Sequence, residues 1–312
     1  MGGQQPVRPR LTARRLAGRP TPEENQAAPS RALKVFSSIL APTTVLTALL
    51  FYFGTQHANA FYKWFGVHYS VLGFSVADYL IRATDGMQVP VTAVAATGLA
   101  VLWAHRLLEA RLSPRAWQTL LRRAVPMLAV AGVGLVGLGL TGLAAPALLY
   151  RFPGLPGLCI AAGFVFFPLA DRMHQARTGR RGSATAAVVQ WTFTFVLVTV
   201  GSFWAVTDYS AALGELRAYQ YEVALPTMAE TVVFSGKDLG VRTRGVRLTP
   251  CAPDAQYRFR YDGLVLVQQA GGTSLLLPRE WNRTDGTAIV LPSSADVRLE
   301  FAPDGSTRDH VC

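Results

Sequence analysis

The sequence predicts an α-helical polytopic membrane bundle of five transmembrane helices followed by a small all-β domain. Three observations carry that prediction. Half of the 312 residues are apolar and 16% are charged, where soluble proteins carry roughly a quarter. The apolar residues gather into five runs, Val35 to Gly54, Val89 to His105, Val125 to Tyr150, Leu155 to Ala170 and Ala184 to Val206, near the length that crosses ~30 Å of hydrocarbon as a helix. After Val206 the pattern changes to short alternating segments separated by turn residues. The expected divisions are therefore a basic, disordered tail over 1–34, a five-helix domain over 35–207 and a β-rich domain over 208–312.

Charge sets the expected orientation. A net charge of +11 in a soluble chain would suggest nucleic acid, but here it follows the apolar runs. Up to Lys34 there are seven basic residues against two acidic ones. The gap after the first run balances Lys63 and Arg82 against Asp78 and Asp85. The next gap sets Arg106, Arg111, Arg115, Arg122 and Arg123 against Glu109. Only Arg151 separates runs three and four, whereas Arg172, Arg177, Arg180 and Arg181 face Asp171 after run four. Beyond run five, eleven basic residues meet thirteen acidic ones. This alternation is the positive-inside pattern. It expects a cytoplasmic N-terminus, an extracytoplasmic C-terminus and a lipid bilayer, not a nucleic acid, as the charged partner.

The first run is read as a retained anchor. "ANA" at Ala58 to Ala60 resembles a signal cleavage site, but the basic region and the apolar stretch are both too long for a secretory signal. "MGGQQP" lacks the Ser or Thr that a myristoylation start requires at its sixth position. Cys159 falls inside the fourth run as a small apolar residue. Cys251 and Cys312 are the cysteines of the C-terminal domain, and in an oxidising compartment they are disulfide candidates; two unpaired thiols are the alternative.

Within the tail domain, "YRFRYDGLVLVQQAGGTSLLLP" gives the clearest β signal. Tyr257, Phe259 and Tyr261 alternate with Arg258 and Arg260, Asp262-Gly263 has the composition of a two-residue turn, and Leu264 to Val267 would return. Further strands are expected at Glu230 to Ser235, Val241 to Leu248, Thr273 to Leu277, Thr287 to Leu291 and Asp296 to Phe301. Together they predict a small barrel or sandwich. "NRT" at Asn282 to Thr284 is a formal glycosylation sequon, relevant only to a eukaryotic secretory route.

No HExxH, paired CxxC or GxSxG motif occurs, so the sequence nominates no catalytic residue, metal ligand or cofactor. "GVGLVG", Gly132 to Gly137, matches GxGxxG in form but lies inside an apolar run, where glycines let helices approach closely. One constellation stands out. Ser75 and Asp78 form a capping-box pattern that starts a helix at Val76, and on that helix Asp78, Arg82, Asp85, Gln88 and Thr92 share one face. The stripe is either a wall of a hydrophilic route, with Arg82 held between two carboxylates, or an ion-paired helix end that locks neighbours together. Just before it, Phe61, Tyr62, Trp64, Phe65 and Tyr69 have the composition of an aromatic belt at headgroup level.

The stretches "FYFGTQHANAFYKWFGVHYSVLGFSVADYLIRATDGMQVPV" and "YRFRYDGLVLVQQAGGTSLLLP" resemble a family of uncharacterised multi-pass membrane proteins of actinobacteria. The resemblance implies a bacterial plasma membrane and an exported β module, and it carries over no catalytic residue. The leading expectation is a non-enzymatic membrane protein whose outer domain binds or senses an envelope ligand or partner. One alternative is a channel or transporter formed by a homo-oligomer around the stripe; another is a membrane-embedded enzyme using His57, His68 and Asp78.

Overall fold

The computed structural model describes residues 2–3, 27–111, 113–149, 151–179 and 183–302, with backbone alone at 27–43, 45, 46, 85, 105, 109, 110, 114–117, 120, 121 and 176. Helices α1 (Ala27–Trp64), α2 (Val76–Arg111), α3 (Pro114–Ala144), the short α4 (Pro146–Leu149), α5 (Leu155–Thr178) and α6 (Ala184–Ala224) precede six strands. The chain divides into two compact units, 1–48 and 49–312. Within the second, the helices from Leu49 onward and the sheet belong together.

Local chemistry explains the helix ends. Pro114 opens α3, where a missing N–H costs nothing. The Ser183 hydroxyl accepts from the Ala186 N–H at 3.4 Å to start α6, and Gly179, in the left-handed region, closes α5 by donating to the Gln175 carbonyl. The expected disordered tail gives way to helix from Ala27, and residues 4–26 lie outside the described ones.

Four helices contain stretches long and apolar enough to cross a membrane, Gly86–Leu108, Arg122–Ala144, Leu155–Gln175 and Ala184–Thr227. The run from Val35 to Gly54 lies in α1, where most side chains are outside the described residues. Close approach is built from small residues. A Cβ on Gly139 of α3 would lie 2.5 Å from Ile160 Cγ1 of α5, and one on Gly157 of α5 would lie 2.5 Å from both Gly201 O and Ala205 N of α6. "GVGLVG" is part of this packing: Gly132 faces Gly163 and Phe167 of α5, whereas a Cβ on Gly134 or Gly137 would meet nothing from another helix within 4 Å.

Two expectations about the helices are corrected. The segment after Val206, where the β-rich domain is expected to begin, continues α6 without a break, so a boundary at 207/208 falls inside a helix. Its 41 residues span about 60 Å at ~1.5 Å per residue, roughly twice a bilayer's hydrocarbon core. The aromatic stretch is likewise the end of α1, which runs on to Trp64.

The strands are β1 (Glu230–Ser235), β2 (Arg247–Pro250), β3 (Phe259–Ala270), β4 (Thr273–Pro278), β5 (Ile289–Pro292) and β6 (Val297–Ala302). They form one antiparallel sheet in the order β5-β4-β3-β1-β6, with β2 also paired to β3. The barrel or sandwich expectation is corrected, and the cores show why. Period-two alternation sends Leu275, Leu277 and Val265 into a core shared with the helices, and sends Leu276, Leu264 and Ile289 into a second core on the other face. The helices cover one face, so no second sheet is needed.

Asp262-Gly263 is not a turn. β3 runs through it for 12 residues, and the hairpin turn is Gly271-Gly272. Between Thr231 and Val233 the register slips against Leu264 and Tyr261, so β3 carries an extra residue as a bulge. Gly263 has φ 87°, a Cβ there would strike Gly245 O, and its N–H donates to Glu230 Oε1 at 2.6 Å. A left-handed glycine suits a turn or a bulge equally, and pairing of β3 with both β1 and β2 at this point selects the bulge.

Gly263→Ala is therefore expected to lower the melting temperature of the full chain far more than Gly272→Ala. Both lose a left-handed glycine, worth roughly 1–2 kcal/mol, but only at Gly263 does an added Cβ also meet backbone, since a Cβ on Gly272 would have nothing within 4 Å. Thermal unfolding in detergent checks this, and equal losses would return Asp262-Gly263 to a loop.

Candidate functional site

The junction between helices and sheet begins at a cap. Ser75 Oγ–H and N–H donate to Asp78 Oδ2 at 2.7 and 2.8 Å, and the Asp78 N–H returns a bond to Ser75 Oγ at 3.3 Å. α2 starts at Val76 because two of its unpaired donors are satisfied reciprocally. The bonds from Ser75 hold the Asp78 carboxyl below the ordinary carboxylate value, the charge of Arg82 contributing less.

Asp78 is thus occupied with the cap, and the expectation that it clasps Arg82 is corrected. Arg82 Nη2 instead donates to Tyr62 Oη of α1 and to Gln268 Oε1 of β3, both at 2.9 Å. Its guanidinium lies 4.9 Å from the Phe74 ring centroid and 5.4 Å from that of Tyr62, so aromatic faces take the place of a counter-ion. Burial pushes the Tyr62 phenol up to about 12, with the charge of Arg82 pulling the other way.

The stripe therefore divides. Arg82 turns into the junction, Asp78 caps the helix, and Gln88 and Thr92 are exposed, Thr92 Oγ1 donating to the Gln88 carbonyl at 2.7 Å. The side chain of Asp85 lies outside the described residues. The packed face of α2 is the adjacent one, Tyr79, Ala83 and Gly86, the last set against Ser210 of α6. From Val91 to Ala104 every residue is exposed.

The aromatic belt is also corrected. Phe61, Tyr62 and Phe65 are 8%, 1% and 3% exposed and form the shared core with Leu72, Tyr79, Ala218, Leu275, Leu277 and Trp281. Their spacing places them on one helical face, and that face meets the sheet. Phe65 and Trp281 pack edge to face with centroids 4.9 Å apart. Trp64 and Tyr69 are half-buried. Trp64 Nε1–H donates to Glu222 Oε2 at 2.7 Å, and Arg283 lies 4.1 Å over its ring.

Beside this core is a cavity of about 370 Å³ lined by His57, Phe61, Arg82, Arg217, Gln220, Tyr221 and Met228. Arg217, Gln220 and Tyr221 escaped the sequence reading. Their spacing along α6 is the available signal, hidden by a domain boundary expected at 207/208. A second cleft of about 600 Å³ lies among Arg151, Pro156, Trp204, Asp208 and Glu215.

His68 caps the short turn at Ser70, its Nδ1 2.7 Å from Ser70 Oγ, so two of the three residues considered for catalysis serve as caps. Among the described residues no group of three His, Cys, Asp or Glu side chains gathers as a metal site. Cys159 is a free, buried cysteine; the expected partner of Cys251, Cys312, lies outside the described residues.

Fold and junction together define a chain of long apolar helices, compatible with a membrane location, with an antiparallel sheet fastened to the helix ends. Comparison with family models, curated proteins and solved structures finds no match.

Ser75→Ala is expected to cost about 1 kcal/mol at neutral pH. The folded Asp78 pKa is depressed, so its share of the cap is complete above the ordinary value of 3.8 and is lost as the pH falls through the lower folded value. Melting curves of parent and variant should converge on acidification; a gap unchanged by acid would assign the loss elsewhere.

Proposed function

We propose that this is a non-enzymatic, five-span protein of a bacterial plasma membrane. Its N-terminus is cytoplasmic, and its sheet faces the envelope side, where it binds or senses a ligand or partner and passes the event to the helices. The observation that carries this reading is the shared core. Side chains from α1, α2, α6, β3 and β4 bury one another, and Arg82 ties β3 to both helix ends. A sheet serving only as cargo on an anchor would need no such joint. The alternating charge of the gaps supports the orientation, and an envelope-side sheet would allow Cys251 to pair with Cys312.

An oligomeric channel is the second reading. Gln88 and Thr92 face outward, so a polar route built from them exists only where copies meet.

Orientation is tested by cysteine labelling in intact cells. Lys237→Cys, on the sheet side, should react with a membrane-impermeant maleimide, and Arg177→Cys only after the membrane is opened; the reverse pattern would overturn the reading. Coupling is tested by hydrogen exchange on the full chain. Gln268→Leu removes an acceptor from a charged donor, an interaction worth roughly 1.5–3 kcal/mol. Exchange should quicken at 57–66 and 76–84 as well as in β3. Changes confined to the sheet would make it an independent module.

A further inference from the structure

The cavity beside the shared core has a charge pattern the proposed function does not yet use. Its charged side chains among the described residues, Arg82 and Arg217, are both cationic, and no described carboxylate lines it. Arg82 is held at the back by the rings of Tyr62 and Phe74. Both of its hydrogen bonds leave from Nη2, and among the described residues Nη1 and Nε donate to nothing. Arg217 is exposed, and its sole hydrogen bond among the described residues is a 3.3 Å contact to Gln220 Oε1. The site thus pairs a half-buried guanidinium with an exposed one, and guanidinium forks match the oxygens of phosphate better than any other side chain does.

The cavity also sits at a telling level. Arg82 lies one turn before Gly86, where the apolar length of α2 begins. On α6, Gly214 packs against His57 of α1, one turn beyond the Gly86–Ser210 contact. In the membrane reading of the preceding subsection, on which this level rests, that is the headgroup layer. A volume of about 370 Å³ exceeds what a bare oxyanion fills and lies at the lower end of ordinary ligand sites, ~300–1,000 Å³.

We infer that this cavity binds a phosphoryl group, borne by an anionic phospholipid headgroup or by a small phosphorylated solute. Thermal unfolding of the full chain in a neutral detergent tests it, titrating short-chain phosphatidylglycerol, short-chain phosphatidylcholine and glycerol phosphate. Phosphatidylglycerol is expected to raise the melting temperature saturably. Arg217→Gln should weaken that effect roughly tenfold, and Arg151→Gln, in the other cleft, should leave it unchanged. A rise with phosphatidylglycerol alone assigns the lipid source, and an equal rise with glycerol phosphate assigns the soluble one; either supports the site. No saturable rise, an equal rise with phosphatidylcholine, or identical binding by Arg217→Gln would overturn it. The cysteine labelling reads orientation separately, so loss of the anion site would leave the proposed function standing.

Discussion

Phe61, Tyr62 and Phe65 turn their shared helical face toward β3 and β4, and the arrangement of everything beyond the apolar helices depends on that contact. Three such rings, at ~150–250 Å² each, bring roughly 11–19 kcal/mol of apolar burial as an upper bound. That gross contribution is of the size of the entire net stability of a typical domain, ~5–15 kcal/mol. Among the described residues, one face of the sheet has no other cover. The same contact sets Tyr62 Oη where Arg82 can reach it, and so helps to place a guanidinium in the lining of the cavity.

Features decided by neighbours in sequence were legible. The start of α2 at Val76 follows from Ser75 and Asp78, which are three residues apart, and the strands at 230–235 and 273–278 follow from short apolar runs bounded by polar and turn residues. Features decided by distant partners were not. Arg82 finds Tyr62 and Gln268, 20 and 186 residues away, and a carboxylate four residues upstream looked the better partner until its cap is counted. The fate of Gly263 turned on Gly245 and on pairing with two other strands at once.

α6 teaches a different point. Between Val206 and Ala224 no proline interrupts, and the one glycine, Gly214, is a contact with α1. A rise in polar content marks the end of an apolar environment without ending the helix, since backbone hydrogen bonding is indifferent to that change. Reading the polarity shift as a structural boundary concealed the side chains that complete the cavity.

The long separation between Arg82 and Gln268 also bears on how the molecule is made. At ~5–20 residues per second, roughly 10–40 s pass between synthesis of Tyr62 and of Leu277. Through that interval the aromatic ends of α1 and α2 are finished and have no sheet to cover them. β6, which pairs with β1, is later still. Nascent chains must therefore hold an apolar patch open until their last strands arrive, and a ribosome stalled before residue 259 would leave a product whose exposed aromatics mark it for degradation.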